Sequence, residues 1–213
     1  MGKLRLIFLT LGLLVIVSAC APNNKRLPYY FPLVETEIEK QSNLPGDYKV
    51  LPDFRFINQD GDSIGKAEVE GKIIIADFVF TSCPGICPTL TSNMTQIQEA
   101  FLKDDQVQIL SFSVDPTYDT PEVLSTYVDK YDIDTDRWML LTGDREKMYD
   151  LIQNGFRLSA YEDSLAPGGI FHDQRFVLLD GGFHFRGYYY GTEQEEIDRL
   201  KQDIGFLKRE MYE

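Results

Sequence analysis

The chain is poor in the residues that carry metal and redox chemistry. Its 213 residues include three cysteines, two histidines and one tryptophan. Three cysteines do not make a disulfide framework. Basic residues are also short, 21 Lys and Arg against 34 Asp and Glu, for a formal charge of -13. Phosphate recognition wants a basic patch, so a nucleic-acid partner is set aside. The acidic surface serves solubility first, and a metal cation or basic partner second. No apolar run reaches the ~20 residues that a spanning helix needs. Internal repeats and low-complexity stretches are absent.

The longest apolar run is Leu6 to Val17, preceded by Lys3 and Arg5 and ended by Val17-Ser18-Ala19-Cys20. A basic start, a short apolar run and small residues make a signal sequence over residues 1–19. Its end resembles a bacterial lipobox, which implies cleavage before Cys20 and lipid on that cysteine. Residues 20–46, polar and proline-bearing, read as a tether from membrane to domain. Tyr29, Tyr30 and Phe31 are candidates to dock on the domain. Residues 47–213 are enough for one domain with a single core.

With Cys20 assigned to the anchor, Cys83 and Cys87 are the thiols left for chemistry. They lie in Thr81-Ser82-Cys83-Pro84-Gly85-Ile86-Cys87-Pro88, between an apolar run, Ile73 to Phe80, and a helical segment, Thr89 to Leu102. A helix start favours thiolate over thiol, and the thiolate is both nucleophile and soft metal ligand. Residues this close together close almost no loop, so a disulfide between them adds little stability. The CxxxC spacing is one residue wider than the CxxC redox spacing, which leaves metal chelation open.

Strand and helix patterns alternate along the remainder, which predicts an α/β class. A hairpin opens the fold around the turn Asn58 to Asp62. Lys72 to Phe80 and Val107 to Val114 are core strands. A helix starts at Thr120-Pro121 and runs to about Tyr131. A strand at Trp138 to Leu141 and a helix from Arg145 to Gly155 follow. Leu165 to Gly169 is a loop, Arg175 to Leu179 and Phe183 to Tyr190 a second hairpin, and Glu193 to Lys208 a last helix. This order matches a thioredoxin-like layout with an N-terminal β-hairpin and an inserted strand and helix segment. The loop before the closing hairpin then lies beside the cysteine turn and carries His172. His184, in Phe183-His184-Phe185-Arg186, shares the polar face of its strand with Arg186. Asp115 and Asp119 read as loop and helix-start residues. Asp132 to Asp136 imitates a calcium loop, but Arg137 and Gly143 stand where glycine and glutamate are required.

Together the cysteine motif, Ser113-Val114-Asp115-Pro116 with Asp119-Thr120-Pro121, Leu141-Thr142-Gly143, and one histidine before Leu178-Leu179-Asp180-Gly181 resemble the Sco/SenC family of copper-binding assembly factors for cytochrome c oxidase. The resemblance covers about Pro52 to Leu207. It implies a thioredoxin-like fold attached to a membrane of the bacterial cell envelope, on the extracytoplasmic side. It implies Cys83, Cys87 and His172 as ligands of Cu(I) or Cu(II), with Asp115, Asp119 and Asp173 behind them. The implied partners are the copper-bearing subunit of the oxidase and other copper chaperones or thiol reductants. The implied task is copper delivery to the dinuclear copper site or maintenance of its thiols. Family members commonly have Asp just before the ligand histidine, where this chain has Phe171, with Asp173 after it. Either Asp173 orients the imidazole or the ring is held differently. The donor set suits copper on its own chemistry, and zinc would accept it too. The competing reading is a thiol-disulfide oxidoreductase, or peroxide reductase, that cycles Cys83 and Cys87 as a redox-active pair.

Overall fold

A computed structural model describes residues 26–32, 38–41 and 50–213. The stretch read as a signal sequence, and Cys20, lie outside the described residues.

Two strands form the centre, β5 (Ile73–Val79) and β6 (Val107–Ser113), paired in parallel over their full length. Every residue of both is buried, as expected of strands covered on both faces. Beside them lie β7 (Trp138–Thr142), parallel to β6, and β10 (Arg175–Leu179), antiparallel to β5. The sheet is completed by β3 (Arg55–Asn58), β4 (Ser63–Gly65) and β11 (Phe185–Tyr190), in the order β11-β10-β5-β6-β7-β3-β4.

The crossovers between the parallel strands are helices. A short helix, α1 (Lys66–Val69), precedes β5; α2 (Cys87–Phe101) joins β5 to β6, and α3 (Pro121–Tyr131) joins β6 to β7. The Thr120 hydroxyl caps α3 by accepting from the Val123 N–H. Asp144 caps α4 (Arg145–Asp150) in the same way. The last helix, α5 (Gln194–Tyr212), packs Ile197, Leu200, Ile204 and Leu207 on the layer formed by α2, α3, Ile73 and Ile109. The other face of the sheet is covered by Met148, Leu151, Ile152 and Phe156. Strand alternation thus sends successive residues of β5 into two cores.

Three local expectations change. The helix from Arg145 ends at Asp150 and continues as a π turn, Leu151–Gly155, which the 3.6-residue pattern does not distinguish. Within the stretch read as a tether, β1 (Tyr29–Pro32) pairs with β2 (Ile38–Gln41), and Tyr30 meets Tyr188 of β11 edge-on at 6.0 Å. Finally, β8 (Ala160–Glu162) pairs with β9 (Ile170–His172), so His172 stands at the end of a strand instead of in a loop. Strands of three residues are too short to show alternation.

Candidate metal centre

Cys83 and Cys87 sit where β5 ends and α2 begins, with Cys87 the first residue of the helix and Pro88 the second. The loop between them is pinned on two sides. Asp119, fully buried, accepts from the Thr81 hydroxyl at 2.5 Å, the Thr81 N–H at 3.2 Å and the Ser113 hydroxyl at 2.6 Å. It thereby ties the start of the cysteine loop to the end of β6. Asp115 shapes the same turn: its N–H donates to Ser113 and its carbonyl accepts from Tyr118 and Asp119. On the outer side, Gly168 adopts φ +78° against the Phe80 ring. A Cβ there would lie 2.8 Å from Phe80 and 3.2 Å from Pro84, so only glycine lets this turn close on the loop.

His172, at the end of β9, reaches the thiols. Its Nε2 lies 3.3 Å from Cys87 Sγ, and its ring stands edge-on to Phe80 at 5.7 Å. The ring is held by its other nitrogen, Nδ1, which is 3.0 Å from the main-chain carbonyl of Asp173. The Asp173 carboxylate is engaged elsewhere: it accepts from the Arg175 N–H at 2.9 Å and from the Arg175 guanidinium at 2.8 and 2.5 Å. Thus Asp173 orients the imidazole through its backbone, and its side chain fixes the backbone. The carbonyl accepts from Nδ1–H and leaves Nε2 with its lone pair toward the thiols, a common arrangement behind a metal-binding histidine. His184 is on the second hairpin, bonded to Asp180 at 3.0 Å and away from the cysteine loop.

The two thiols are electrostatically unequal. Burial pushes Cys83 up, but bonds from His172, Cys87 and the N–H groups of Cys87 and Gly85 outweigh it and bring Cys83 down to about 6. Burial pushes Cys87 far above the ordinary thiol range, and the neighbouring Cys83 adds to it. Both are free thiols, Cys83 half-buried and Cys87 buried. Iodoacetamide at pH 7 is therefore expected to alkylate Cys83 well before Cys87. The Cys83 rate should fall as pH drops through about 6, where the thiolate takes up its proton. Peptide mapping with equal labelling of both cysteines would contradict this.

One further group was hidden in the sequence. Asp77 lies inside the apolar run of β5, fully buried, and accepts from the Ser111 hydroxyl, which accepts in turn from the Trp138 indole at 2.7 Å. Burial pushes its carboxyl up to about 7, against the pull of the Ser111 bond and of His172. Its other oxygen has no hydrogen-bond partner, and its charge helps raise Cys87. An acid within an apolar strand was the available signal; the hydrophobicity of its neighbours masked it.

Among the described residues, no group of three His, Cys, Asp or Glu side chains stands as a preassembled metal cage. The donors instead touch one another. A metal bound to a thiolate and an imidazole separates S from N by about 3.5 Å, given bonds of ~2.3 and ~2.0 Å at a tetrahedral angle. The observed 3.3 Å needs only a few tenths of an ångström of opening. Two sulfurs and one nitrogen are a soft-to-borderline set, so the residues fit a copper ion.

Fold and site together define a thioredoxin-like domain with a dithiol and imidazole at the mouth of its central strand. The model of the SCO1/SenC family matches residues 42–205, and the chain belongs to that family. It is 32% identical over 165 residues to the SCO1 protein homolog of Bacillus subtilis, covering 75% of this chain and 83% of that one. Its fold is similar to a SCO1/SenC family lipoprotein from Bacillus anthracis, with TM-score 0.69 and 33% identity over 74% of this chain and 94% of the other. It is also similar to BsSco, a member of the Sco family of cytochrome c oxidase assembly proteins with a disulfide switch: TM-score 0.67, 28% identity, 75% and 94% covered. Copper-bound ScoI of Bradyrhizobium japonicum shares the fold at 23% identity and TM-score 0.64, with 75% and 99% covered.

Proposed function

We propose that this chain is a lipid-anchored copper-binding protein that helps to assemble the dinuclear copper site of cytochrome c oxidase. The observation that carries this is the contact of His172 Nε2 with Cys87 beside the lowered Cys83 thiol, in a chain of this family. Cys83, Cys87 and His172 would hold Cu(I) or Cu(II) as cargo. Three protein donors leave a coordination position open, and an incoming ligand from the oxidase subunit can enter there. Cys83, at the rim, is the donor that a partner reaches first. Anchoring through Cys20 on the extracytoplasmic side keeps the domain near a membrane-bound partner. It is supported by the Val17-Ser18-Ala19-Cys20 sequence and the likeness to a family lipoprotein.

The thiol inequality favours a second use of the same pair. A Cys83 thiolate attacks a disulfide in the partner and forms a mixed disulfide, releasing one partner thiolate. Cys87, on losing its proton, attacks Cys83 Sγ, forms the Cys83–Cys87 disulfide and frees the second partner thiolate. Two electrons pass to the partner, which leaves as a dithiol, and an outside thiol reductant resets the chain.

Deletion of the gene in its native bacterium tests both uses. The account expects oxidase lacking its dinuclear copper, rescued by the wild-type gene and not by Cys83→Ser. Added copper should bypass a delivery role, whereas an added membrane-impermeant reductant should bypass a thiol role. Cys20→Ser should leave the leader uncleaved or release the protein from membranes. Normal cleavage with unchanged membrane retention would refute the anchor, and full oxidase activity in the deletion strain would refute the function.

A further inference from the structure

Arg186 is a cation only 2% exposed, and its partners come from its own hairpin, the last helix and the N-terminal segment. Its guanidinium meets Asp180 at 3.1 Å and Glu210 at 2.8 Å. It donates to the main-chain carbonyls of Leu27 at 2.8 Å and Pro28 at 3.3 Å, and lies 4.2 Å from the centre of the Tyr29 ring. Glu210 also accepts the Leu27 N–H at 3.3 Å. The Leu27 side chain is buried in the core layer of Ile73 and Leu207. A guanidinium out of water is tolerated only where charge and donors are both met. Asp180 and Glu210 meet the charge, and the spare donors hold residues 27 and 28. This is a clasp on the N-terminal segment.

Its position sets its consequence. Asp180 follows Leu179, which pairs with Ile74 at the start of β5. Cys83 follows the other end of β5, whose seven residues span about 20 Å. The clasp and the exposed Arg26 before it therefore lie at the pole opposite Cys83, Cys87 and His172.

We infer that this clasp shortens the leash between the lipid and the domain, and so turns the metal site away from the anchoring membrane. The inference rests on the anchor at Cys20 proposed above. From Cys20 to Arg26 there are six peptide steps, at most about 22 Å. A domain of ~165 residues is about 40 Å across. A leash shorter than the domain, attached at the far pole, does not let the domain invert. Tyr30 on Tyr188 belongs to the same attachment, so once residues 27–32 come free together the next described bridge to the sheet is Val50, paired with His184. That is thirty steps from Cys20, about 100 Å at full stretch, and every orientation opens. The clasped chain offers its site to an accepting group that stands off the bilayer and withholds it from one at the surface.

Trp138, the one tryptophan, is a built-in donor for the test. Energy transfer to dansyl-phosphatidylethanolamine is measured with the full lipidated chain in phosphatidylethanolamine–phosphatidylglycerol vesicles. The arms are wild type, Arg186→Gln, Leu27→Asp, and wild type with about 24 Gly/Ser residues inserted after Pro22, which matches the length of the released leash. Both clasp variants should lose at least about half of the transfer, reaching the level of the insertion, because mean height grows with leash length. Amide exchange at residues 27–30 should speed up at least about tenfold in both, as that segment comes free. Leu27→Asp changes only the tether side, so it decides the matter even if Arg186→Gln fails to fold. Unchanged transfer in Leu27→Asp despite faster exchange overturns the leash, and unchanged exchange overturns the clasp. A wild-type chain that does not float with the vesicles overturns the anchor itself, and the leash with it.

Discussion

Oxidation of Cys83 and Cys87 to a disulfide is expected to abolish copper binding. The reduced chain holds both sulfurs and His172 Nε2 at one point, with Cys87 and His172 3.3 Å apart. A disulfide removes both thiolates, which are the soft and charged donors, and leaves one neutral imidazole. A lone imidazole holds copper weakly, so the loss is of the whole site. The pair is placed for this reaction: each thiol shifts the other's titration, and Cys83 is already inclined to the thiolate. Thiol titration of the sample before and after copper addition checks it. Tight binding to a thiol-free sample would show that the cysteines are not the ligands.

His172→Ala is expected to weaken copper binding at least about tenfold, or ~1.4 kcal/mol, and His184→Ala to leave it unchanged. The loss should be larger for Cu(II), which takes nitrogen donors more readily than Cu(I) does. The two histidines differ in what their rings face. Nε2 of His172 points at Cys87, whereas His184 is bonded to Asp180 and packed edge-on to Tyr29. Sequence reading treats His172 as a loop residue whose removal costs little. In β9 it is 5% exposed and packed on Phe80, so His172→Ala also leaves a small cavity, worth about 1–2 kcal/mol of stability. Thermal unfolding of the metal-free variant separates that cost from the lost ligand. Reversed behaviour of the two variants would remove His172 from the site.

How legible was this in the sequence? The core strands were, because Ile73 to Phe80 and Val107 to Val114 are apolar runs bounded by turn residues. The cysteine junction was, because Pro88 and the following apolar spacing mark a helix start. Asp119 and Asp173 were singled out, but not their partners. The Asp119 bonds cross from β6 to the cysteine loop, and the Asp173 carboxylate turns to Arg175, leaving its carbonyl to hold His172. Such choices depend on which backbones meet, and spacing along one chain does not encode them. Alternation along the strand sends Arg186 outward. That rule assumes one solvated face, and β11 has Leu27 and Tyr29 packed beside it. Asp77 escaped for a related reason, since hydropathy averages over a strand and one buried acid does not change the average.

The most direct test is anaerobic titration of the fully reduced chain with Cu(I) and with Cu(II), with the bound ion examined by X-ray absorption. The account predicts one copper per chain, with two sulfur ligands and one imidazole nitrogen. It also predicts loss of the sulfur shell in a Cys83→Ser, Cys87→Ser chain. A reduced chain that binds no copper, or a bound ion with only nitrogen and oxygen neighbours, would contradict it.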